Sequence, residues 1–409
     1  MSKISKTAYD NIAGADWPSY DDYLADKINS TVQQEIGRFI KPVIPIIPQS
    51  APYKQQSDPN VAYQYVLNSF PRGKDYPDKI VHTCNRPSRA VTIDMFTNCL
   101  LCVCDGWISK PVGKITDFAR LEDIWDNSTA YELQEDVTSK KFTWCAIKHC
   151  GITERDNIEQ NYQLVFGIDD SCNLKCPSCR REARMYESGP LFDEKLNAVQ
   201  HTVNLLNDFE EPIHITLACS GDPLASNIYR PLLHSYIGKS SQTFTLFTNG
   251  LLIKKQLDKT KLIERITNFR ISVDAGSKEV YEKVRLGGKW EILKENLDFL
   301  KEKKLSNAID LVFIVQKNNF RDILNFQALC QEYDVRGALV NLDDWGTWVN
   351  TKIETPDDWT LEHGTYMHNN VLAPDHPDFE ECKQIIGQVT YKKLSKSFRL
   401  IDLINKSKT

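Results

Sequence analysis

The sequence predicts an α/β fold, a partial (β/α)6 barrel of the TIM type preceded by a cysteine-rich segment. Two observations support this prediction. Between residues 160 and 345, apolar runs of strand length alternate with amphipathic helical patterns, as in parallel strands joined by crossover helices. Six of the twelve cysteines fall between residues 84 and 150. Six strand–helix units are too few for a closed eight-stranded barrel, so we expect an open one.

The predicted strands are apolar runs, and the predicted helices fill the segments between them. The strands are Leu164–Ile168, Ile213–Cys219, Thr243–Phe247, Phe269–Val273, Leu311–Val315 and Ala338–Leu342. The helices are Phe192–Asn207, Lys255–Ile266, Trp290–Lys303 and Arg321–Tyr333. Ligands of parallel α/β folds bind at the carboxyl ends of the strands, so we expect the functional site there.

Two further segments flank this barrel. Residues 1–80 are aromatic, polar and rich in proline, with one predicted helix from Tyr20 to Phe39. We expect them to form an arm that packs on the rest of the chain or on a partner protein. Residues 346–409 form a C-terminal tail with a predicted basic helix near Tyr391–Leu403.

The cysteine-rich segment, residues 81–155, has its own short elements. Its patterns predict strands at Ala90–Ile93 and Leu100–Cys104 and a helix at Leu121–Asp136.

Composition excludes several classes of function. The chain has 409 residues, 41% hydrophobic and 26% charged, with a net charge of -5. It has no dense basic run for nucleic acid and no apolar run of membrane-spanning length. The N-terminus lacks the apolar core of a signal peptide, so we expect a cytoplasmic protein. Its cysteines would then be reduced, which favours metal ligation over disulfides.

The most specific motif is Cys-Asn-Leu-Lys-Cys-Pro-Ser-Cys, with thiols at Cys172, Cys176 and Cys179 directly after a predicted strand. Three thiolates cannot complete a four-sulfur zinc shell alone, but they can hold three irons of a four-iron cluster and leave the fourth open. The spacing, its position and its filler residues resemble those of the radical S-adenosylmethionine (SAM) superfamily. The alternatives are a zinc knuckle and three unrelated buried thiols.

The end of the second predicted strand supports this resemblance. Its sequence, Cys219-Ser220-Gly221-Asp222-Pro223, is similar to the Gly-Gly-Glu-Pro motif that receives the amino group of SAM, with Asp222 in place of Glu. The resemblance assigns residues 220–223 to SAM. An ordinary Gly-Asp-Pro turn is the alternative. Cys219 is a candidate hydrogen-atom donor to a substrate radical, although a free cysteine is more often a buried apolar residue.

Motifs at the next two predicted strands complete the SAM site that the resemblance implies. Asn249 lies in a Thr-Asn-Gly that resembles the family's motif at the third strand. The fourth strand ends in a Ser-Val-Asp-Ala sequence containing Ser272 and Asp274, and Arg285 follows in a Tyr-x-x-x-Arg-x-Gly-Gly pattern. The resemblance implies that Ser272, Asp274 and Arg285 meet the ribose and the carboxylate of SAM. Hydroxyl and carboxylate groups can bind a ribose, and a guanidinium group can bind a carboxylate.

The cysteine-rich segment resembles a SPASM-type or twitch-like auxiliary cluster domain, although such domains usually follow the barrel. The resemblance rests on Cys84-x-Arg-Pro, on Cys102-Val-Cys104-Asp-Gly-Trp and on Trp-Cys145-x4-Cys150. It assigns Cys84, Cys104, Cys145 and Cys150 to an auxiliary four-iron four-sulfur cluster. Cys99 and Cys102 could replace one of these or help to hold a second cluster. A structural zinc with the same four thiolates and a partly metal-free region are the alternatives.

The resemblance also implies a function. A reduced [4Fe-4S] cluster would cleave SAM to a 5′-deoxyadenosyl radical, which abstracts a hydrogen atom from the substrate. We expect a ribosomally synthesised precursor peptide as substrate, modified by crosslinking, epimerisation or backbone excision. A separate leader-peptide-binding protein and an electron donor such as flavodoxin or ferredoxin would be its partners. The alternatives are a radical SAM dehydrogenase or epimerase of a sugar or aminocyclitol, and a non-catalytic iron–sulfur electron-transfer protein.

Overall fold

The computed structural model describes most of the chain between residues 82 and 400. The described residues are 82–103, 108, 110–145, 150, 152, 156–179, 183–218, 221–342, 364–397 and 400. The predicted arm, residues 1–80 with its helix at Tyr20–Phe39, therefore lies outside the described residues. Within them, no helix combines the length and the apolar character that a membrane span requires.

One nine-stranded sheet organises the described part of the chain. Its strands, β1 to β9, are Ala90–Ile93, Cys99–Leu100, Tyr162–Phe166, Ile213–Leu217, Gln242–Thr248, Ile266–Ser272, Ile309–Val315, Arg336–Asn341 and Leu394–Lys396. They lie in the order β2-β1-β3-β4-β5-β6-β7-β8-β9. Every neighbouring pair is parallel except β1 and β2. The predicted open α/β barrel is confirmed, and the cysteine-rich segment extends its sheet through β1.

The helices cover one face of the sheet. The α-helices, α1 to α9, are Arg86–Arg89, Ser128–Thr138, Pro190–Asp208, Arg230–Ser235, Ile253–Leu257, Lys278–Val284, Trp290–Glu302, Ile323–Tyr333 and Phe379–Gly387. Residues 364–369 are also helical. Because β3 to β8 lie side by side in chain order, right-handed crossovers place their helices on the same face. The opposite face is called the inner face below.

The apolar core lies between the sheet and these helices. Phe313 of β7 is fully buried and contacts Phe326 of α8, with ring centroids 5.0 Å apart. Phe244 of β5 likewise contacts Tyr236 beyond α4. Side chains alternate along a strand, so the neighbours of Phe244, Thr243 and Thr245, lie on the inner face. The helix-facing side is therefore the hydrophobic core, and the inner face carries polar groups.

Two predicted helices are wrong. Lys255–Ile266 is not continuous, because α5 ends at Leu257 and a 3-10 turn, Leu262–Arg265, leads into β6. The hydroxyl and the amide of Thr260 both donate to the carbonyl of Leu257, which stops the helix. In the predicted tail helix, Leu394–Lys396 is instead strand β9, paired in parallel with β8.

The predicted helix Leu121–Asp136 is split at Asn127. Its first part, Leu121–Ile124, is a 3-10 turn, and α2 begins after it. The side chain of Asn127 accepts a hydrogen bond of 3.0 Å from the amide of Ala130 and so caps α2.

Candidate functional site

The three-cysteine loop lies at the carboxyl end of β3, as the sequence predicts. The amide of Cys172 donates to the carbonyl of Arg184 (2.7 Å), and the amide of Cys179 donates to that of Cys176 (2.9 Å). Cys172 and Cys176 are buried, whereas Cys179 is exposed. The loop therefore presents thiols from a fixed backbone at the edge where ligands of parallel sheets bind.

Gly221 packs directly against this loop. A Cβ atom on Gly221 would lie 2.0 Å from the carbonyl oxygen of Ser171, so no larger residue fits. The next amide, that of Asp222, donates to the same Ser171 carbonyl at 2.7 Å. Pro223 follows and is buried. The predicted SAM motif is thus in contact with the residue that precedes Cys172.

The carboxylate of Asp222 joins the ends of β4 and β5. It accepts hydrogen bonds from Thr248 Oγ1 (2.8 Å), from the amide of Asn249 (2.7 Å) and from the amide of Leu224 (2.9 Å). Burial raises the pKa of Asp222, and these hydrogen bonds oppose the rise. With three protein donors, the carboxylate positions two strand ends. Its expected contact with the amino group of SAM stays a prediction.

Two side chains reach the sulfur atoms of the loop. Asn249 Nδ2 donates to Asn173 Oδ1 at 2.9 Å and lies 4.0 Å from Cys172 Sγ. Arg285 Nη1 lies 3.7 Å from Cys176 Sγ. Donors near ligand sulfurs stabilise thiolates and tune the potential of a cluster bound to them.

Arg285 also forms a buried ion pair with Asp274. Arg285 Nη2 lies 2.7 Å from Asp274 Oδ2, and the side chains are only 11% and 4% exposed. Burial lowers the pKa of Arg285 and the Asp274 carboxylate raises it, with a net rise. Asp274 follows β6, which ends at Ser272, and has a φ of 55° in the left-handed region. Its other oxygen accepts from the amide of Ile314 (2.7 Å), which holds this unusual conformation.

These residues fit the groups that the motifs predict. Among the described residues, no three His, Cys, Asp or Glu side chains converge tightly enough to hold a single metal ion. Three spaced thiols suit a larger iron–sulfur cluster better than one zinc. The Nε atom of Arg285 is buried and has no hydrogen-bond acceptor among the described residues, so this donor is available to a carboxylate.

The sequence reasoning missed the two acids that support the loop. Asp169 accepts a hydrogen bond from Ser226 Oγ (2.5 Å), and Asp170 pairs with Arg184 (2.6 Å). Two adjacent acids between a strand and the first cysteine were the available signal. Cys219 and Ser220, predicted as hydrogen donor and SAM contact, lie outside the described residues.

A second group of cysteines lines one shared cavity. These cysteines are Cys84, Cys102, Cys145 and Cys150, and the rest of the lining is Arg86, Pro87, Leu101, Ile108, Val137, Phe142 and Ile152. Burial raises the pKa of Cys84 to about 11, so a metal that bound here would have to displace the thiol proton. The structure therefore places Cys102 with three of the predicted ligands.

The other two candidate cysteines differ from this set. Cys99 lies in β2 and is not part of the cavity lining. Burial raises its pKa, and the nearby acids Asp94 and Asp117 raise it further. Cys104 lies outside the described residues, so its predicted role as a ligand stays a prediction.

The cavity and the three-cysteine loop lie at opposite ends of β3. Cys84 forms a bridge with Asn157, and Asn157 Nδ2 donates to Cys150 Sγ at 3.4 Å. Asn157 precedes β3 and Cys172 follows it. The five residues of β3 rise about 3.3 Å each, so the strand spans about 16 Å between the two groups.

Comparisons with known proteins identify the class of the barrel. The family model described as the radical SAM superfamily matches residues 169–330. These residues are therefore a radical SAM domain, and the family implies a [4Fe-4S] cluster and SAM as cofactors. The resemblance predicted from the motifs is confirmed for this segment, whereas that of residues 81–155 to an auxiliary-cluster domain stays a prediction.

Similar proteins cover only part of the chain. Two probable GTP 3′,8-cyclases of Methanococcus maripaludis, strains C5 and S2, are 26% identical over 131 residues and 29% identical over 132 residues. Each alignment covers 32% of this chain and 42% of the relative. A structure of Streptococcus suis SuiB bound to its precursor peptide SuiA has 16% identity and a TM-score of 0.35, covering 60% of this chain and 51% of that one. A structure of anSMEcpe with AdoMet has 21% identity and a TM-score of 0.35, covering 48% and 57%.

Proposed function

We propose that this chain is a radical SAM enzyme that abstracts a hydrogen atom from an organic substrate. The observation that supports it is the three-cysteine loop at the carboxyl end of β3, contacted by Asn249 and Arg285 from the ends of neighbouring elements. When bound, the cluster and SAM supply one electron and a 5′-deoxyadenosyl radical. The chain's own residues fix the loop, stabilise its thiolates and exclude water from two of its three sulfurs.

The test is anaerobic product analysis after reduction with dithionite. The reconstituted full chain with SAM should release 5′-deoxyadenosine, slowly even without substrate, and the Cys172/Cys176/Cys179→Ala triple variant should not. Cys330→Ala is the control, because Cys330 is a buried core thiol on α8. Release of S-adenosylhomocysteine would instead indicate a methyltransferase. A reducible cluster without SAM cleavage would indicate an electron-transfer protein, and either result rejects the proposal.

We also propose that Cys84, Cys102, Cys145 and Cys150 hold an auxiliary cluster. Their common cavity supports this ligand set, in which Cys102 replaces the predicted Cys104. Four protein thiolates leave no open iron, which favours electron transfer over substrate binding. The span of β3 between the two cysteine groups also favours electron transfer, because a substrate at the carboxyl edge would lie far from this cavity.

For the substrate we propose a ribosomally synthesised peptide, delivered by a leader-binding partner. Support comes from the sheet, whose described strands lie in an open order, so that its inner face can admit an extended chain. The alternative substrate from the sequence is a sugar or an aminocyclitol. The relatives named as GTP 3′,8-cyclases suggest a purine nucleotide as a further alternative. Incubation of the reduced enzyme with candidate peptides, sugars and GTP, followed by mass spectrometry, separates these classes. Turnover of GTP or a sugar with no peptide modified would reject the peptide.

A further inference from the structure

The inner face of the sheet carries an arginine that forms no ion pair with any described residue. Arg270 lies on β6, and its register partners are Phe247 of β5 and Asp310 of β7. Neighbouring strands in register present these side chains to the same face. Arg270 precedes Ser272, the last residue of β6, by two positions, so it lies about 7 Å below the carboxyl edge of the sheet.

The contacts of Arg270 are unusual for a partly buried cation. Its guanidinium carbon lies 5.0 Å from the centre of the Phe247 ring. Its Nε atom is buried, and the side chain makes no hydrogen bond or ion pair among the described residues. By contrast, Arg184, Arg285 and Arg336 each pair with a carboxylate. Arg270 is therefore held by stacking, and no described residue accepts a hydrogen bond from its fork of donors.

The nearest acid by register does not neutralise Arg270. Asp310 pairs instead with Arg336 Nε at 2.5 Å. On the other side, Asn268 Oδ1 is buried without a hydrogen-bond partner in the described part of the chain. Arg270 and Asn268 are two residues apart on one strand, so they share the inner face. Arg270 therefore places a positive charge on this face, next to an amide oxygen of Asn268 that can accept a hydrogen bond.

The adjoining surface is polar and uncharged. His214 of β4 contacts the hydroxyls of Thr243 and Thr245, each at 2.9 Å. Burial lowers the pKa of His214, which keeps its ring neutral near pH 7. In a closed barrel this layer would be packed with branched apolar side chains. Here it offers hydroxyl, amide and guanidinium groups, as a binding surface does.

We propose that Arg270, stacked on Phe247, binds an oxyanion of the substrate. A planar guanidinium fork matches a carboxylate or a phosphate with two parallel hydrogen bonds. The inference rests on the proposed function, and it narrows the substrate to an anion. On a peptide the oxyanion is an acidic side chain, and on a nucleotide it is a phosphate.

The test is calorimetric binding to the reconstituted full chain. The probes are pyrophosphate, GTP, a capped pentapeptide Ala-Ala-Glu-Ala-Ala and its Gln counterpart. We expect an oxyanion probe to bind wild type about 30-fold more tightly than Arg270→Gln, with Arg270→Lys and Phe247→Leu between them. Arg120→Gln, which removes an exposed arginine, should bind like wild type. Preference for the Glu peptide indicates a carboxylate, and preference for pyrophosphate or GTP indicates a phosphate.

Two outcomes would overturn this assignment. One is equal affinity of every probe for wild type and for Arg270→Gln, once thermal unfolding shows that the variant is folded. The other is binding of none of the oxyanion probes to wild type. Release of 5′-deoxyadenosine is measured on the same wild-type sample. Its presence with either outcome rejects only the oxyanion site, and its absence rejects the proposed function.

Discussion

Replacement of Gly221 by alanine tests how the cluster loop is held. The new Cβ would lie 2.0 Å from Ser171 O, whereas ordinary contact begins at 3.4 Å, so the loop must move by about 1.4 Å. Overpacking of this kind costs about 1–3 kcal/mol, and loss of the Asp222 N to Ser171 O hydrogen bond adds about 1 kcal/mol. We therefore expect Gly221→Ala to lower the free energy of unfolding by about 2–4 kcal/mol.

The same displacement should reach the chemistry, because Ser171 precedes Cys172. A misplacement of about 1 Å lowers catalytic rates by about 100-fold, and we expect this loss in 5′-deoxyadenosine release. Urea unfolding, iron content and product release are measured together. Gly387→Ala is the control, since nothing lies within 4 Å of its new Cβ at the end of α9. Wild-type stability and activity in Gly221→Ala would refute the packing argument.

Two further variants test the electrostatics of the site. Asp274→Asn keeps a residue that tolerates the left-handed backbone but leaves Arg285 buried without its counter-charge. Urea unfolding should therefore show a free energy of unfolding lower by about 3–5 kcal/mol. An unchanged free energy of unfolding would contradict the ion pair. The pKa of His214 is lowered in the folded chain, so its contribution to stability is present above about pH 6.5 and is lost as the pH falls. Unfolding measured from about pH 5.5 to 8 should show this loss in wild type and not in His214→Gln, and parallel curves would reject it.

The strands were predictable because each is a short apolar run between amphipathic helices. The sequence places Ile213 and Leu311 in strands and the cysteine loop at the end of β3, as the structure does. Helix ends were harder to predict, because local side chains decide them. Thr260 stops α5 and Asn127 starts α2 through local hydrogen bonds that hydrophobic periodicity does not reveal.

Long-range packing explains the remaining differences. Residues Leu394–Lys396 form a strand because β8 offers them a free edge, which no local pattern shows. The cavity that brings Cys102 beside Cys84 is lined by several separate segments between Cys84 and Ile152, so spacing alone could not choose between Cys102 and Cys104. The sequence shows Arg270 as a charge inside an apolar strand. Only the neighbouring strands in the structure show that no described residue pairs with it.

Iron content after anaerobic reconstitution tests most directly the claim that the chain holds two clusters. Wild type should bind about eight irons per chain, and the Cys172/Cys176/Cys179→Ala variant about four. Adding Cys102→Ala to that variant should remove most of the remaining iron, whereas adding Cys99→Ala should not. About four irons in wild type with one zinc retained in the triple variant would contradict the auxiliary cluster, and a triple variant that loses no iron would contradict the central assignment.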